Sequence, residues 1–395
     1  MTLWEEFRAA APDREVSGYF ERAPTRDRPE GFACVFDRAE ELRPVTRTTD
    51  LASLARTTKR FLLNRQNIVV GYLGYDTIGL FEPAVSTPPP GSPFPPGEIA
   101  FVRRARLGPS RVIRRRPFRA GRVEDPVRDS LPVAAYGRAV RHLVRAIREG
   151  EAFQVVLSHR REWPRPYDLL ERADQLRRTE RFAYFYYLKF GDREVIGATP
   201  ESVAEVEGDC AYVNPIAGTL PTRFSGRRRL PLSRDPKELA EHRMLVDLAR
   251  NDLGRVSRPG SVRLVWEEHR ERYARLEHLV SRVRGRVRKG VGAWDVLGAA
   301  FPAGTVSGAP KIRATQLLRR EERTWRGPYG GAVALIRSHG RADFALTIRT
   351  AFAAGPRLYT AAGAGIVHRS RPAREFEETM AKLSHLEATL LGEDR

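Results

Sequence analysis

DPKELAEHRMLVDLARND, residues 235–252, is the stretch that most constrains the fold. Asp235 followed by Pro236 is a typical helix start, because aspartate caps the first amides and proline fits the first turn. The helix is predicted to end within Asn251 to Gly254. Glu238 and Glu241 are three residues apart, so they share one face of the predicted helix.

The sequence REFEETMAKL, residues 374–383, repeats this arrangement in a second helix predicted over 372–391. Glu375 and Glu378 again share a face. If both pairs converge, their carboxylates suit a hard divalent cation such as Mg²⁺, which prefers oxygen ligands. Each glutamate also has an ordinary alternative. Glu238 can complete a capping box, and Glu241 can lie on a solvated surface. Glu375 and Glu378 can be acidic residues of the first turn, which the helix dipole stabilises, and Glu378 can also pair with a lysine four residues later.

The rest of the chain predicts strands and helices without regular βαβ alternation, which favours an α+β fold with antiparallel sheet. The predicted helices cover residues 133–149, 293–300 and 312–319, and the predicted strands cover 67–75, 152–158, 182–190, 194–198 and 211–214. Residues 88–97 are too rich in proline for a helix or a central strand and are expected to form an extended crossing.

The composition is that of a globular protein: 395 residues, 41% hydrophobic and 30% charged. The net charge of +20 raises the question of a nucleic-acid partner, but the basic residues are spread along the whole chain. Nucleic acid is therefore not the expected ligand, although small anions should be attracted.

No apolar run is long enough to cross a membrane, and residues 1–16 do not resemble a secretory signal. Cys34 and Cys210 form no disulfide framework, which favours the cytoplasm.

A loop of small residues, Pro302–Lys311, runs into a predicted helix. Amides of such a loop can face an anion, but a plain tight turn is an equal interpretation. Residues 212–222 and 363–365 contain similar turns. His278 is a lone histidine, which is more often structural than catalytic.

Taken together, several strings resemble the chorismate-utilising enzymes, in particular the anthranilate synthase component I branch. They are PIAGT, DPKELAEHRMLVDLARNDLGRV, HLVSRV, FPAGTVSGAPKIRA, GPYGGAV, FALTIRTA, AGAGIV and EFEETMAK, and they fall between residues 131 and 390. The resemblance implies an anthranilate synthase-type α+β fold, with large antiparallel sheets and helices outside. It also implies an N-terminal region over 1–125 and a chorismate-binding catalytic domain over 131–391.

The same resemblance implies the reaction. Ammonia adds at C2 of chorismate, water leaves from C4, and elimination of pyruvate gives anthranilate, the first step of tryptophan biosynthesis. Mg²⁺ is the implied cofactor. A glutamine amidotransferase subunit is the implied source of ammonia, so a hetero-oligomer is expected.

The resemblance also assigns roles to individual residues. The metal ligands are Glu241, Glu375 and Glu378. The substrate-binding residues are Gly218, Thr219, Tyr329, Arg349, Gly363, Gly365 and Lys382. The catalytic residues are His278, Glu238, Thr305 and Gln154.

Two positions separate the branches of the family. Gln154 stands where water-adding isochorismate synthases carry a basic lysine, and Ala217 stands where many aminodeoxychorismate synthases carry a nucleophilic lysine. Both favour ammonia as nucleophile and anthranilate as product. The alternatives are an aminodeoxychorismate synthase, an enzyme that stops at aminodeoxyisochorismate, and a non-catalytic binding protein on the same scaffold.

The motifs that accompany tryptophan feedback in this family are degraded here. Residues 31–37 and 180–184 occupy the corresponding regions, and only Tyr184 matches. We therefore hypothesise weak or absent feedback, which inhibition by micromolar tryptophan would contradict.

Overall fold

A computed structural model describes residues 2–25, 28–85, 91–110, 123–221, 236–273 and 276–392. For residues 217–221, 236–238, 271–273 and 276–277 it describes the backbone only. Within these ranges the α-helices are α1 Leu3–Ala10, α2 Leu51–Phe61, α3 Ile78–Phe81, α4 Val133–Arg148, α5 Leu169–Thr179, α6 Pro236–Gly254, α7 Ala293–Ala300, α8 Gly304–Ser307, α9 Lys311–Glu322 and α10 Pro372–Leu391.

The strands of the described ranges are β1 Val16–Arg22, β2 Phe32–Phe36, β3 Glu41–Val45, β4 Ile68–Leu73, β5 Gly97–Val102, β6 Arg106–Pro109, β7 Arg128–Asp129, β8 Gln154–Pro164, β9 Tyr184–Phe190, β10 Arg193–Thr199, β11 Ser202–Glu207, β12 Cys210–Val213, β13 Ile216–Pro221, β14 Arg263–Tyr273, β15 Leu276–Arg286, β16 Gly308–Ala309, β17 Ala332–Arg337, β18 Arg341–Leu346, β19 Thr350–Ala354 and β20 Arg357–Ile366.

These strands form two antiparallel sheets. Sheet 1 has the order β16-β8-β20-β19-β10-β9-β1-β2-β6, with β7 added beside β8. Sheet 2 has the order β13-β15-β12-β11-β18-β17-β4-β5-β3, with β14 added beside β15. The α+β prediction with large antiparallel sheets is confirmed.

The sheets pack face to face, and the alternation of side chains along each strand decides which core a residue joins. In β4, Val70 and Tyr72 point between the sheets, where they meet Tyr186 and Leu188 of β9. The odd-numbered neighbours in both strands face outward instead. Val69 and Leu73 pack in the cluster that contains α7, and Phe185 and Tyr187 pack in the cluster that contains α1 and α5. Each sheet is therefore covered by helices on its outer face.

The predicted helices agree with the structure at most boundaries. The helix predicted over 293–300 is α7, and the one predicted over 372–391 is α10. The helix predicted over 312–319 is longer and spans Lys311–Glu322, because Arg320 to Glu322 continue it after the last clear apolar repeat. Of the proline-rich crossing, residues 88–90 lie outside the described residues.

The region predicted as N-terminal, residues 1–125, contributes strands to both sheets: β1, β2 and β6 join sheet 1, and β3, β4 and β5 join sheet 2. The remaining strands of both sheets follow residue 125. The division at residues 125 and 131 remains a prediction. In the described part of the chain, no helix combines the length and apolar character that crossing a membrane requires.

Candidate active site

The candidate site lies where α8 and α10 meet the ends of the sheets. Helix α10 packs along β20, and α8 contacts both β20 of sheet 1 and helix α6 beside sheet 2. The contact to α6 runs through Gly304, which abuts Leu245 and Leu248. These elements carry most of the residues singled out from the sequence.

Lys382 is fixed by two hydrogen bonds at the centre of this region. Its Nζ donates to the carbonyl oxygen of Gly363 at 2.8 Å and to Oε1 of Glu378 at 2.7 Å. The second bond is the i,i+4 ion pair expected from the sequence. Lys382 is thereby held against the glycine-rich end of β20 with its ammonium group half-buried.

Glu201 is a buried carboxyl group immediately before β11. Its Oε1 accepts a hydrogen bond from Oγ1 of Thr305 at 2.7 Å. Burial raises the pKa of Glu201 to about 8, against the lowering effects of the Thr305 hydrogen bond and of the positive charges of Lys382 and Arg349. At neutral pH this carboxyl is therefore held largely as the protonated acid.

Arg349 sits in the short crossover that leaves β18 of sheet 2 and enters β19 of sheet 1. Its φ of 49° places it in the left-handed region, which a non-glycine residue rarely adopts and which commonly marks a functional position. Nη1 of its side chain lies 3.9 Å from Oε2 of Glu180, which His385 also approaches. The crossover therefore directs a guanidinium group to the region where the sheets meet.

Tyr329 is buried on the other side of Gly363, with its hydroxyl against the backbone of that glycine. A β-carbon at Gly363 would lie only 3.1 Å from this hydroxyl oxygen. Burial raises the pKa of Tyr329, so the phenol remains a neutral donor. The ring faces the guanidinium of Arg326, at 5.9 Å from the centroid.

Arg326 is itself held by a network of buried polar groups. Its Nη1 donates to the carbonyl of Val306 at 2.6 Å, and its Nη2 donates to the carbonyl of Val156 at 2.8 Å. Glu322 completes a bidentate ion pair at 2.6 and 2.8 Å and also accepts from Ser158. This network ties β8, α8 and α9 together behind the site.

Gln154 begins β8 and faces Gly365 of the neighbouring strand. A β-carbon at Gly365 would fall inside contact distance of Nε2 of Gln154, so glycine is required for the amide to lie there. The Gln154 amide therefore occupies the space that a side chain at position 365 would fill, and the substrate-binding role of Gly365 remains a prediction.

Replacement of Gly365 by alanine is expected to displace the Gln154 amide. Because the atom met is the far end of a flexible side chain, we expect little change in stability, and we expect the displaced amide to show as a raised KM for substrate. The double variant Gly365→Ala with Gln154→Ala should recover much of the loss, because the clashing amide is gone. Gly254→Ala is the control, since its added β-carbon would meet nothing within 4 Å. An unchanged KM in the single variant would contradict the expected clash.

Helix α6 and strand β15 bring a second group of predicted residues to the edge of sheet 2. His278 of β15 is buried, and Glu241 of α6 is partly buried. The pairing of β13 with β15 shifts register between Ala217 and Leu220, so Gly218 and Thr219 form a bulge opposite His278. The side chains of Thr219 and Glu238 lie outside the described residues.

The carboxylates of α10 lie near one buried phenol. Burial raises the pKa of Tyr136, and the negative charges of Glu375 and Glu378 raise it further. Glu375 is partly buried, whereas Glu378 is exposed and bonded to Lys382. Both are hard oxygen donors on one helix face, so their chemistry fits a cation such as Mg²⁺. Among the described residues, no group of three or more acidic, histidine or cysteine side chains is arranged to hold a metal.

A family model described as chorismate binding enzyme matches residues 17–388. The chain belongs to the chorismate-binding enzyme family. Anthranilate synthase component 1 of Streptomyces coelicolor is 39% identical over 366 residues, covering 80% of this chain and 71% of the relative. That of Methanothermobacter thermautotrophicus is 47% identical over 240 residues, covering 60% of this chain and 52% of the relative.

Solved structures agree with this family assignment. Anthranilate synthase component I from Streptococcus pneumoniae has a TM-score of 0.73 at 27% identity, covering 95% of this chain and 92% of that chain. The menaquinone-specific isochorismate synthase from Escherichia coli, at 17% identity, shows the shared fold alone, with a TM-score of 0.75 over 97% of this chain and 91% of that chain. The resemblance to chorismate-utilising enzymes inferred from the sequence is confirmed.

The contacts within this chorismate-binding chain connect some predicted residues and leave others apart. Lys382, Gly363 and Tyr329 are joined by contacts, Thr305 contacts Glu201, and the charges of Lys382 and Arg349 act on Glu201; we call these six residues the connected set around Glu201. Gln154 and Gly365 lie at the same strand ends, and Glu375 and Glu378 flank the set on α10. Glu241 and His278 belong to the neighbouring α6–β15 region. The assigned roles of all these residues remain predictions.

Glu201 is the member of this set that sequence reasoning missed. It lies in VIGATPESVAEV, directly after a proline and four residues before a second glutamate, Glu205. Nothing in this string sets Glu201 apart, because its burial and its contact with Thr305 arise only in the folded chain.

Proposed function

We propose that this chain is the large subunit of an anthranilate synthase, which converts chorismate and ammonia into anthranilate and pyruvate. The single observation that carries the proposal is the connected set around Glu201. It combines a protonated carboxyl, a positively charged lysine and a guanidinium group in a chain of the chorismate-binding family. Such a set can hold a dianion and supply a proton to a leaving group.

The basic groups of the set account for substrate binding. Chorismate has two carboxylates, one on the ring and one on the enolpyruvyl arm. Arg349 and the neutral hydroxyl of Tyr329 are suited to the arm carboxylate, because a guanidinium and a phenol are both donors to oxygen. The backbone of Gly365 is proposed to add amide contact. Lys382 is proposed to lie near the ring carboxylate.

Glu201 accounts for the departure of the C4 hydroxyl. Ammonia forms the N–C2 bond while the C4–O bond breaks, and the hydroxyl leaves as water after taking a proton. A carboxyl with a pKa of about 8 is protonated at neutral pH and can donate that proton. Thr305 orients the carboxyl by donating to Oε1 at 2.7 Å. His278 remains a second candidate for the same role.

The side chains near C2 support ammonia as the nucleophile. The amide of Gln154 is neutral and cannot take a proton from water, so activation of water is disfavoured. Position 217 carries alanine, which has no amine to attack the ring. The side chain of Ala217 lies outside the described residues, so this support comes from its identity alone.

Glu241, with Glu375 or Glu378, is proposed to hold Mg²⁺, and Glu238 is proposed to act nearby. When bound, Mg²⁺ would supply charge neutralisation at the ring carboxylate. A glutamine amidotransferase subunit is proposed as the source of ammonia in a cytoplasmic hetero-oligomer.

The proposal is tested by incubating the purified chain with chorismate, Mg²⁺ and excess ammonium, and identifying the products. Anthranilate with pyruvate is expected. Aminodeoxychorismate would place the chain in the folate branch despite Ala217, and accumulation of aminodeoxyisochorismate would show that elimination of pyruvate is missing. If no chorismate is consumed even after a glutamine amidotransferase subunit is added, the catalytic proposal is wrong.

A further inference from the structure

The helices that carry the two Glu-x-x-Glu pairs share a structural feature. In each helix, the residue directly after the second glutamate makes a buried hydrogen bond between an imidazole and a hydroxyl group. In α6 this residue is His242, which follows Glu241. In α10 it is Thr379, which follows Glu378.

The contact on α6 joins the helix to the strand that carries His278. Nε2 of His242 lies 2.6 Å from Oγ of Ser281, and the His242 side chain is fully buried. Ser281 also accepts the N–H of Glu268 at 3.0 Å. Glu268 has a φ of 52° at a bulge in β14. The hydroxyl is therefore fixed by the sheet, and its bond to His242 fixes the helix.

In the contact on α10 the roles are reversed, because the sheet supplies the imidazole and the helix supplies the hydroxyl group. Nε2 of His159 in β8 lies 2.9 Å from Oγ1 of Thr379, and Nδ1 lies 3.0 Å from both carboxylate oxygens of Asp129. Thr379 donates its own proton to the carbonyl of Phe376 at 2.7 Å, so its oxygen accepts from the ring. The rings of Tyr136 and Phe376 enclose the imidazole.

We propose that these two contacts, His242–Ser281 and His159–Thr379, set the rotation and depth of the carboxylate helices from which the glutamates would reach one bound cation. The four residues are positioning residues: His242 and Thr379 act through the glutamate that precedes each of them, and Ser281 and His159 act through His242 and Thr379. Mg²⁺ requires nearly ideal octahedral geometry at about 2.0–2.1 Å, so a small rotation of either helix separates its ligands. The inference rests on the proposed metal role of Glu241, Glu375 and Glu378.

Isosteric removal of each hydroxyl tests the inference. Ser281→Ala and Thr379→Val keep the side-chain volume but leave the imidazole without its partner. Binding of Mn²⁺ as a probe is measured by electron paramagnetic resonance, with Mg²⁺ as competitor. This readout does not require turnover. Each variant is expected to weaken Mn²⁺ binding about 10–100-fold, the usual effect of losing a group that orients a metal ligand. Ser281→Thr and Thr379→Ser retain the hydroxyl and are expected to restore binding.

The matched controls remove a buried hydroxyl elsewhere. Thr360→Val deletes the partner of Glu387 near the far end of α10, which Thr360 contacts at 2.7 Å. Ser257→Ala deletes a buried hydroxyl beside Gly285 of β15. Thr360→Val loses a hydrogen bond and should lower thermal stability to a similar extent, whereas Ser257→Ala should change stability little, because its hydroxyl makes no hydrogen bond among the described residues. Both should leave Mn²⁺ affinity unchanged. Equal losses of affinity in controls and test variants would mean that the contacts serve stability alone, and the inference would be overturned.

The remaining outcomes separate this inference from the proposed function. Unchanged Mn²⁺ affinity in Ser281→Ala and Thr379→Val would overturn the positioning role. No Mn²⁺ binding by the unchanged chain would overturn it together with the metal assignment. Selective loss of Mn²⁺ binding in the two variants, in a chain that forms no anthranilate, would support the positioning role and overturn the proposed reaction.

Discussion

Replacement of Glu201 by glutamine is expected to lower kcat for anthranilate formation by about 10²–10⁴-fold, the usual contribution of a positioned proton donor. Glutamine keeps the shape of the side chain and can still accept the Thr305 hydrogen bond, but it cannot donate a proton with comparable acidity. KM for chorismate should change little, because the proton is transferred only when the C4–O bond breaks. The measurement is steady-state kinetics with ammonium as the nitrogen source.

The dependence on pH gives this prediction a second readout. With free ammonia held constant, kcat of the unchanged chain should fall as pH rises through about 8, because Glu201 then loses its proton. The Glu201→Gln variant should lack that descending limb. The same raised pKa also affects stability. Between pH of about 4.5 and about 8, Glu201 is protonated in the folded state and ionised in the unfolded state, so the free energy of unfolding decreases as pH rises through this range.

Glu207→Gln is the matched control for Glu201→Gln. It lies on the same β11 segment, and its side chain is 52% exposed beside Arg28. Normal kcat in Glu207→Gln, together with cooperative thermal unfolding of both variants, would assign the loss to chemistry at Glu201. A kcat close to normal in Glu201→Gln would transfer the acid role to another group, with His278 as the next candidate.

Replacement of Glu241 by glutamine is the second change for which we expect a large effect. Loss of a charged metal ligand removes several kcal/mol of stabilisation at the substrate carboxylate, which corresponds to more than about 10²-fold in kcat/KM. The apparent Mg²⁺ requirement should rise in the same variant. A titration of activity against Mg²⁺ at fixed chorismate measures both effects.

Asp247→Asn provides the control on the same helix. Its side chain is 72% exposed and pairs with Arg250 at the surface, so its neutralisation should leave the Mg²⁺ titration unchanged. If Glu241→Gln and Asp247→Asn give the same titration curve, Glu241 does not hold the metal. The carboxylates of α10 would then need another partner.

Much of the fold could be predicted from local patterns. The helix predicted over 235–252 had start and stop residues in the sequence, and the helices predicted over 293–300 and 372–391 are α7 and α10. Such signals depend only on neighbours along the chain. The absence of βαβ alternation predicted antiparallel sheets for the same reason. The order of strands could not be predicted, because β1 pairs with β9 and β4 pairs with β17 across long separations in sequence. Those pairings depend on which faces can be buried together.

For the candidate site, too, some features follow from local sequence and others only from tertiary packing. Spacing by itself determined that Glu238 with Glu241, and Glu375 with Glu378, share helix faces, because the helical repeat is a property of the backbone. Only the tertiary structure decided that Glu201 is buried beside Thr305, 104 residues away, with its pKa raised to about 8. It also decided that His159 meets Thr379 across 220 residues. Burial, proton affinity and long-range hydrogen bonds belong to surfaces that exist only after the two sheets and their helices have packed.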